Sequence, residues 1–399
     1  MPAWIGPIAA LAAQMLDPSV CSANLCFADA LAPVLAALDS RAEDDRPVHI
    51  LQIGDSHTAG DMITGAWRRR LQARHGHGGR GVLAAGRPYA GYLTWGVTAA
   101  QSGGWHANAS FGSRFAADGA PLGLAGFTQT GHARGETLSL AADAPVEAFD
   151  RIIVCAIARP GGGGVTLRIG EVQQYWSLDA ESLVPECRTL DSDRPALAAS
   201  ITIADEGMVS ITSLGAFRRA GGVVLSNLGV VGAQLVHFGR TSDSAIAAEL
   251  AAYRPDLIVL AFGTNEGFSA SLSPDDYEAA LRAQVYRIRR LAHHEVPILL
   301  LGAPDAASRQ PARAGAACGG GWRVPRLLGT VRERQRAVAR DMGLGFWDWS
   351  AAMGGRCASA LWRRLGLMRP DHVHFTREGG DRIGAMIDAD LARAAGAPH

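Results

Sequence analysis

The later part of the chain repeats one unit, a continuous apolar run followed by an amphipathic helix, and that repeat restricts the fold more than any other feature. "PDLIVLAFG" (Pro255 to Gly263) precedes "PDDYEAALRAQVYRIRRLAHH" (Pro274 to His294), "VPILLLGAP" precedes "RLLGTVRERQRAVARDMG", and "LGFWDWS" precedes the closing "REGGDRIGAMIDADLARAAG". A strand that is apolar throughout needs cover on both faces, the condition of a parallel strand between two helix layers. The unit first occurs at "HILQIGDSHTAGD" (His49 to Asp61), where an apolar strand runs into a tight turn and "TGAWRRRLQARHG" follows as a helix ending at Gly76. An α/β domain is expected.

Between these units the pattern changes. From about Gly112 to Gly222 short alternating runs follow one another: "GETLSLAAD", "FDRIIVCAIA", "GVTLRIG", "VQQYWSLDA", "ALAASITIAD" and "GMVSITSLGAF". Turn residues punctuate them at the spacing of a β-sandwich, and no helix is expected there. With 399 residues, two domains are expected: 1–111 with 223–399 as the α/β part, and 112–222 as an inserted all-β sandwich.

The 38 basic and 38 acidic side chains cancel, which leaves no electrostatic footprint for nucleic acid or an anionic membrane. "WIGPIAALAAQML", near the N-terminus, is too short to span a bilayer. Residues 1–45 read either as a degenerate export signal or as an N-terminal helix. The six cysteines include no Cys-x-x-Cys pair, against a zinc ribbon or redox motif. Cys21/Cys26 and Cys318/Cys357 read equally as disulfides in an oxidising compartment or as free thiols.

Ser56, at the turn after the first strand, can be a helix cap or a nucleophile. Three further stretches favour the nucleophile: "SNLGVVGAQ" (Ser226 to Gln234), "FGTNEG" (Phe262 to Gly267) and "RPDHVHFTREGG" (Arg369 to Gly380). All four fall at the carboxyl ends of strands or before the final helix, where open α/β sheets gather ligands. Together they supply acyl transfer. Ser56 is the nucleophile, His374 the base that takes its proton, and Asp371 the group that holds the imidazole. The Ser56 N–H, the Gly232 N–H and the Asn265 side-chain amide are candidate oxyanion donors. Gly229 is the second choice for the glycine.

These blocks resemble the SGNH/GDSL hydrolase superfamily: Gly-Asp-Ser at Gly54 to Ser56, the glycine of block two, Gly-x-Asn at Gly263 to Asn265, and Asp-x-x-His at Asp371 to His374. Gly232 matches the family glycine by its spacing from Asn227. The resemblance implies a three-layer α/β/α fold with a five-stranded parallel sheet, and ester hydrolysis with no cofactor or metal. "QIGDSHTAGD", "QSGGW", "NLGVVGAQL" and "FWDWSAAMGG" are similar to the bacterial peptidoglycan O-acetylesterases. That closer resemblance implies a carbohydrate-binding-module-like β insert, an acetylated glycan as partner, and a periplasmic or extracellular location. The alternatives are an O-acetyltransferase, an esterase for another acetylated polysaccharide, a longer-chain lipase and an inactive carbohydrate-binding protein. Oligomeric state is not readable.

Other residues carry competing readings. His57 can line the pocket or serve a hydrogen-bonded structural role. His372 with His374 has no third ligand at metal spacing. Trp95, Trp105, Tyr175 and Trp176 can stack on sugars or pack in the core, and Trp347 and Trp349 are expected in the core.

Overall fold

The computed structural model of the chain describes residues 21–40, 46–310 and 314–396. The apolar run near the N-terminus lies outside the described residues. The described part of the N-terminal segment forms a small hairpin, Cys21–Ser22 with Leu25–Cys26, and a helix over Ala32–Asp39.

Five parallel strands form one side of a seven-stranded mixed sheet, in the spatial order Gly345–Trp347, Ile298–Leu301, Leu257–Ala261, Val48–Gly54, Val223–Gly229. The N-terminal hairpin extends it antiparallel, Leu25 opposite Trp347. Alternate side chains point to opposite faces. Ile50, Leu225, Val259 and Leu299 pack beneath the helices Met62–His75 and Arg377–Ala394, against Trp67, Ile383 and Ile387. Leu51, Val224, Ile258 and Leu300 face the helices Asp243–Tyr253, Pro274–Ala292 and Leu328–Met342, against Ile246, Leu281 and Val331. Each such side chain, wholly withdrawn from water, contributes about 1.5–3 kcal/mol. Trp347 and Trp349 are both core residues.

Besides a two-stranded hairpin, Ala314–Gly319 with Trp322–Pro325, two larger antiparallel sheets are present. One has the order Val172–Ser177, Gly164–Ile169, Ala198–Ile203, Thr137–Ala142, Val97–Gln101. The other runs Val184–Ala196, Phe149–Ala158, Val209–Phe217, Phe127–Gly131, His106–Ala109, with Gly79–Leu83 paired to Val209–Phe217. Leu138, Leu140, Val154, Val165, Ile201 and Ile211 fill the core between them. Antiparallel pairing therefore begins at Gly79, well before the boundary expected at residue 112. The reason is local: "GRGVL" is glycine-rich and "VTAAQ" is short, so neither carries a strong strand signal. Between Gly112 and Gly222 the one helical turn described is a short 3-10 turn at Pro145–Glu147.

Three disulfides are formed, Cys21–Cys26, Cys155–Cys187 and Cys318–Cys357. The second joins neighbouring strands whose partnership could not be seen before the strands were paired. Among the described residues no helix is long and apolar enough to cross a membrane.

Candidate active site

The spatial order of the parallel strands reverses beside Val48–Gly54, so a crevice opens between its carboxyl end and that of Leu257–Ala261. Asp55 caps the one-turn helix Ser56–Ala59 by accepting the His57 N–H at 2.9 Å. The cap is thus Asp55, and the Ser56 hydroxyl is left for another partner. That partner is His374, whose Nε2 lies 2.9 Å from Ser56 Oγ. On the other side of the ring, His374 Nδ1 lies 2.8 Å from Asp371 Oδ2.

The loop holding Asp371 is short and self-bonded. Asp371 Oδ1 accepts the Val373 N–H at 2.9 Å and the His374 N–H at 3.0 Å. Partial burial works to raise the Asp371 pKa, but the hydrogen bonds from the His374 ring and from these two amides outweigh it and hold the carboxyl well below the usual range. Asp371 is consequently a carboxylate at neutral pH, and a carboxylate favours the proton on Nδ1. Nε2 is then free to accept from Ser56. Thr376 ends the loop by capping the final helix, accepting the Gly379 N–H.

Gly232 and Asn265 are drawn together by the loop that leaves Val223–Gly229. Asn265 Nδ2 donates to the Ala233 carbonyl at 2.9 Å, and Gln234 Nε2 donates to the Asn265 carbonyl at 3.1 Å. Gly232 has φ 78°, the left-handed region. Among the described residues neither its N–H nor that of Ser56 has an acceptor. Gly229 answers a different need, since a Cβ there would come 2.1 Å from the Ala59 nitrogen. Its missing side chain lets the Ser56 helix rest directly on the neighbouring strand.

His57 is buried on the wall of the pocket that Ser56 and His374 share, and so meets both readings. Its Nδ1 is 3.2 Å from Asp55 Oδ1 and its Nε2 is 3.0 Å from the Val373 carbonyl. Burial opposes its charge, yet Asp55 and the Val373 carbonyl more than compensate and raise its pKa. The ring is packed 5.5 Å from the His374 ring, centroid to centroid. Hydrogen-bonded support of the histidine loop is what this placement offers. His372 stacks on Trp322 at 3.8 Å, and among the described residues no group of three metal-ligating side chains is close enough to hold an ion.

A buried charge cluster lies below the turn. Asp61 accepts from Arg68 at 2.6 Å, from Arg80 at 2.9 Å and from the Trp95 N–H at 2.9 Å. Arg80 also donates to Asn227 Oδ1 at 2.6 Å, and Asn227 Nδ2 donates to the Thr58 carbonyl at 3.0 Å. Arg80 carries no sequence signal. Asp61 ends the stretch "HILQIGDSHTAGD" and Trp95 stands out for its ring, but their ion-pair and backbone contacts join positions distant in sequence, so reading the chain alone missed the cluster.

Ser56 and His374 open on a pocket of about 250 Å³, also lined by Met62, Tyr89, Leu93 and Arg369. Tyr89 and Leu93 come from the segment between antiparallel strands. Of the aromatic residues with the two readings of sugar stacking or core packing, Trp105 and Trp176 are buried. Trp95 is partly covered by Arg377, 4.6 Å from its ring centre. Tyr175 is 56% exposed and donates to Asp205 at 2.7 Å.

Residues 213–382 match the GDSL-like Lipase/Acylhydrolase family. Among solved structures, a peptidoglycan O-acetylesterase is 28% identical, with a TM-score of 0.76 over 93% of this chain and 99% of its own. A family two carbohydrate esterase from Cellvibrio japonicus is 12% identical at a TM-score of 0.29, covering 79% of this chain and 98% of that one, too low to carry an argument. No curated protein matches the sequence significantly. With its Gly-Asp-Ser, Gly-x-Asn and Asp-x-x-His blocks inside a parallel α/β sheet, and with the GDSL-like match across 213–382, the chain is similar to the SGNH/GDSL hydrolases.

Proposed function

We propose that the protein is a serine esterase that removes O-acetyl groups from a glycan, peptidoglycan first among the candidates, through Ser56, His374 and Asp371. The observation that carries this reading is the unbroken chain of contacts from Asp371 Oδ2 to His374 Nδ1 at 2.8 Å and from His374 Nε2 to Ser56 Oγ at 2.9 Å. Similarity to a peptidoglycan O-acetylesterase along nearly the whole of both chains supports the substrate class.

In this mechanism Ser56 Oγ attacks the acetyl carbonyl carbon while His374 Nε2 takes the hydroxyl proton. Asp371 remains ionised and stabilises the imidazolium. The negative oxygen accepts from the Ser56 N–H, the Gly232 N–H and Asn265 Nδ2, donors set in place before the charge develops. Collapse breaks the bond to the sugar oxygen, which leaves with the proton from His374. Water then attacks the acetyl-Ser56 ester by the same route and releases acetate.

The strands from Gly79 to Phe217 we read as a carbohydrate-binding-module-like insert between the first two parallel strands. A periplasmic or extracellular location is supported by the pairing of all six cysteines, a state that persists in oxidising compartments. The test is acetate release from O-acetylated peptidoglycan by the wild type and by Ser56→Ala. Release by the wild type alone is expected. If the wild type cleaves an aryl acetate but leaves peptidoglycan acetylated, the substrate assignment fails and the serine mechanism survives.

A further inference from the structure

Beside the Ser56 pocket lies a second cavity, of about 540 Å³, which the proposed reaction does not use. Tyr89 lines both, so the two cavities are neighbours. Arg87 and Arg114 stand on the wall of the second cavity, both exposed, and among the described residues neither is paired with a carboxylate.

The floor is polar and incompletely satisfied. Gln129 is 1% exposed and Trp105 7%, and both line the cavity. Gln129 Nε2 donates to Gln101 Oε1 at 3.0 Å, and the same oxygen accepts the Arg87 backbone N–H at 2.7 Å. That arrangement fixes which way the Gln129 amide faces, because a flip would set oxygen against oxygen. Gln129 Oε1 is left buried with no donor, and Trp105 Nε1 is buried with no acceptor. A buried polar atom without a partner costs about 1–3 kcal/mol. Both residues belong to the cavity lining, while the two unmet atoms themselves are closed off behind it.

We infer that this cavity is a subsite for an acidic saccharide or its carboxylate-bearing substituent. The carboxylate is held by Arg87 and Arg114, whose guanidinium forks match its two oxygens. The inference rests on the glycan-deacetylation reading and adds selection for acidic glycans, by side chains outside the triad.

The experiment compares the wild type with the double variant R87Q/R114Q. One substrate is an O-acetylated disaccharide-tetrapeptide, whose stem peptide carries free carboxylates. The other is an acetylated neutral cello-oligosaccharide. The ratio of kcat/KM, acidic over neutral, should fall about tenfold in the variant, mainly through KM on the acidic substrate. Raising salt from low to high should lower that ratio in the wild type and move it little in the variant, because screening weakens the arginine contacts. An equal loss on both substrates, or no loss, overturns the subsite.

Should the wild type deacetylate neither glycan, the functional reading falls and binding tests the cavity separately. The probe is then the unacetylated disaccharide-tetrapeptide, titrated calorimetrically into Ser56→Ala with and without the arginine substitutions. Heat that disappears with the arginines supports the subsite. No binding, or binding indifferent to Arg87 and Arg114, refutes it.

Discussion

Asp371→Asn tests the site through a single proton. In the wild type Asp371 Oδ1 accepts two backbone N–H groups, from Val373 and His374, and Oδ2 accepts from His374 Nδ1. In the variant the two amides keep the Asn oxygen on their side, so the Asn NH2 faces Nδ1. Two donors cannot share that contact, and the ring proton therefore moves to Nε2. Nε2 now donates towards Ser56 instead of accepting its proton, with every atom near its original place. Loss of the correct tautomer in a serine triad costs about 10⁴ in kcat, or roughly 5 kcal/mol of transition-state stabilisation. The Asp371 side chain is 45% exposed, so folding stability should change little. The assay is single-turnover acetylation and steady-state hydrolysis of an aryl acetate, with thermal denaturation alongside. A rate loss smaller than tenfold in a variant that still folds would refute the tautomer argument and the assignment of Asp371 with it.

The other predictions probe the support around the site. Asp61→Ala leaves Arg68 and Arg80 buried without their carboxylate, and breaking such a pair costs about 3–5 kcal/mol; denaturant unfolding should show it, and a loss below 1 kcal/mol would contradict the cluster's role. Gly229→Ala puts a methyl against the Ala59 nitrogen and must displace the Ser56 helix. A misplacement near 1 Å lowers the rate about 10²-fold, and unimpaired esterase kinetics would count against this packing. Removing the Cys155–Cys187 link, with a separation of 32 residues, should cost roughly 3–4 kcal/mol by the loop-closure argument, read as a lower denaturation midpoint in Cys155→Ala/Cys187→Ala. Burial lowers the His49 pKa to about 4, although the Tyr253 carbonyl and Asp256 oppose the shift. The unfolded chain then binds a proton that the folded chain refuses between about pH 6.5 and 4, so stability should fall by about 3 kcal/mol as pH drops through that window. His49→Gln should flatten the slope, and an unchanged slope would place its origin elsewhere.

The parts of the molecule that were legible in the sequence are those whose signal is local. Leu257–Ala261 and Ile298–Leu301 are apolar at every position, and four of the five helices that cover the sheet carry periodicity or end signals, whereas Asp243–Tyr253, rich in alanine, was not read from the sequence. Asp371 and His374 were legible for the same reason, being three residues apart in one loop. What escaped depends on partners distant in sequence. Gly79–Leu83 becomes a strand because Val209–Phe217 pairs with it, and nothing in "GRGVL" announces that partner. Cys155 and Cys187 form a bridge only because their strands are set in register, Cys187 opposite Cys155. Arg80 is buried through contacts with Asp61 and Asn227, 19 and 147 residues away in the chain. Periodicity carries no record of such pairings.

Where the antiparallel segment enters the sheet also bears on what the site can select. It leaves after the helix Met62–His75 and returns through Val223–Gly229, the parallel strand at one end of the seven-stranded sheet. Such an edge presents unpaired backbone groups that invite another chain. Here the entering segment covers part of it: the Gly78 N–H donates to the Val223 carbonyl at 3.1 Å, and the Val82 N–H donates to Ser226 Oγ at 2.7 Å. Arg80 in the same strand reaches Asp61 just beyond the Ser56 helix, and the Trp95 amide reaches the same carboxylate. The segment carrying Tyr89 and Leu93 is therefore bounded on both sides by residues fastened to the turn that holds Ser56. A wall so fixed acts on the group attached to the ester oxygen, while the triad acts on the acyl carbon. Substitutions on that wall should alter which alcohol leaves before they alter how fast the acetyl-enzyme is hydrolysed, because the leaving group has departed by the second step.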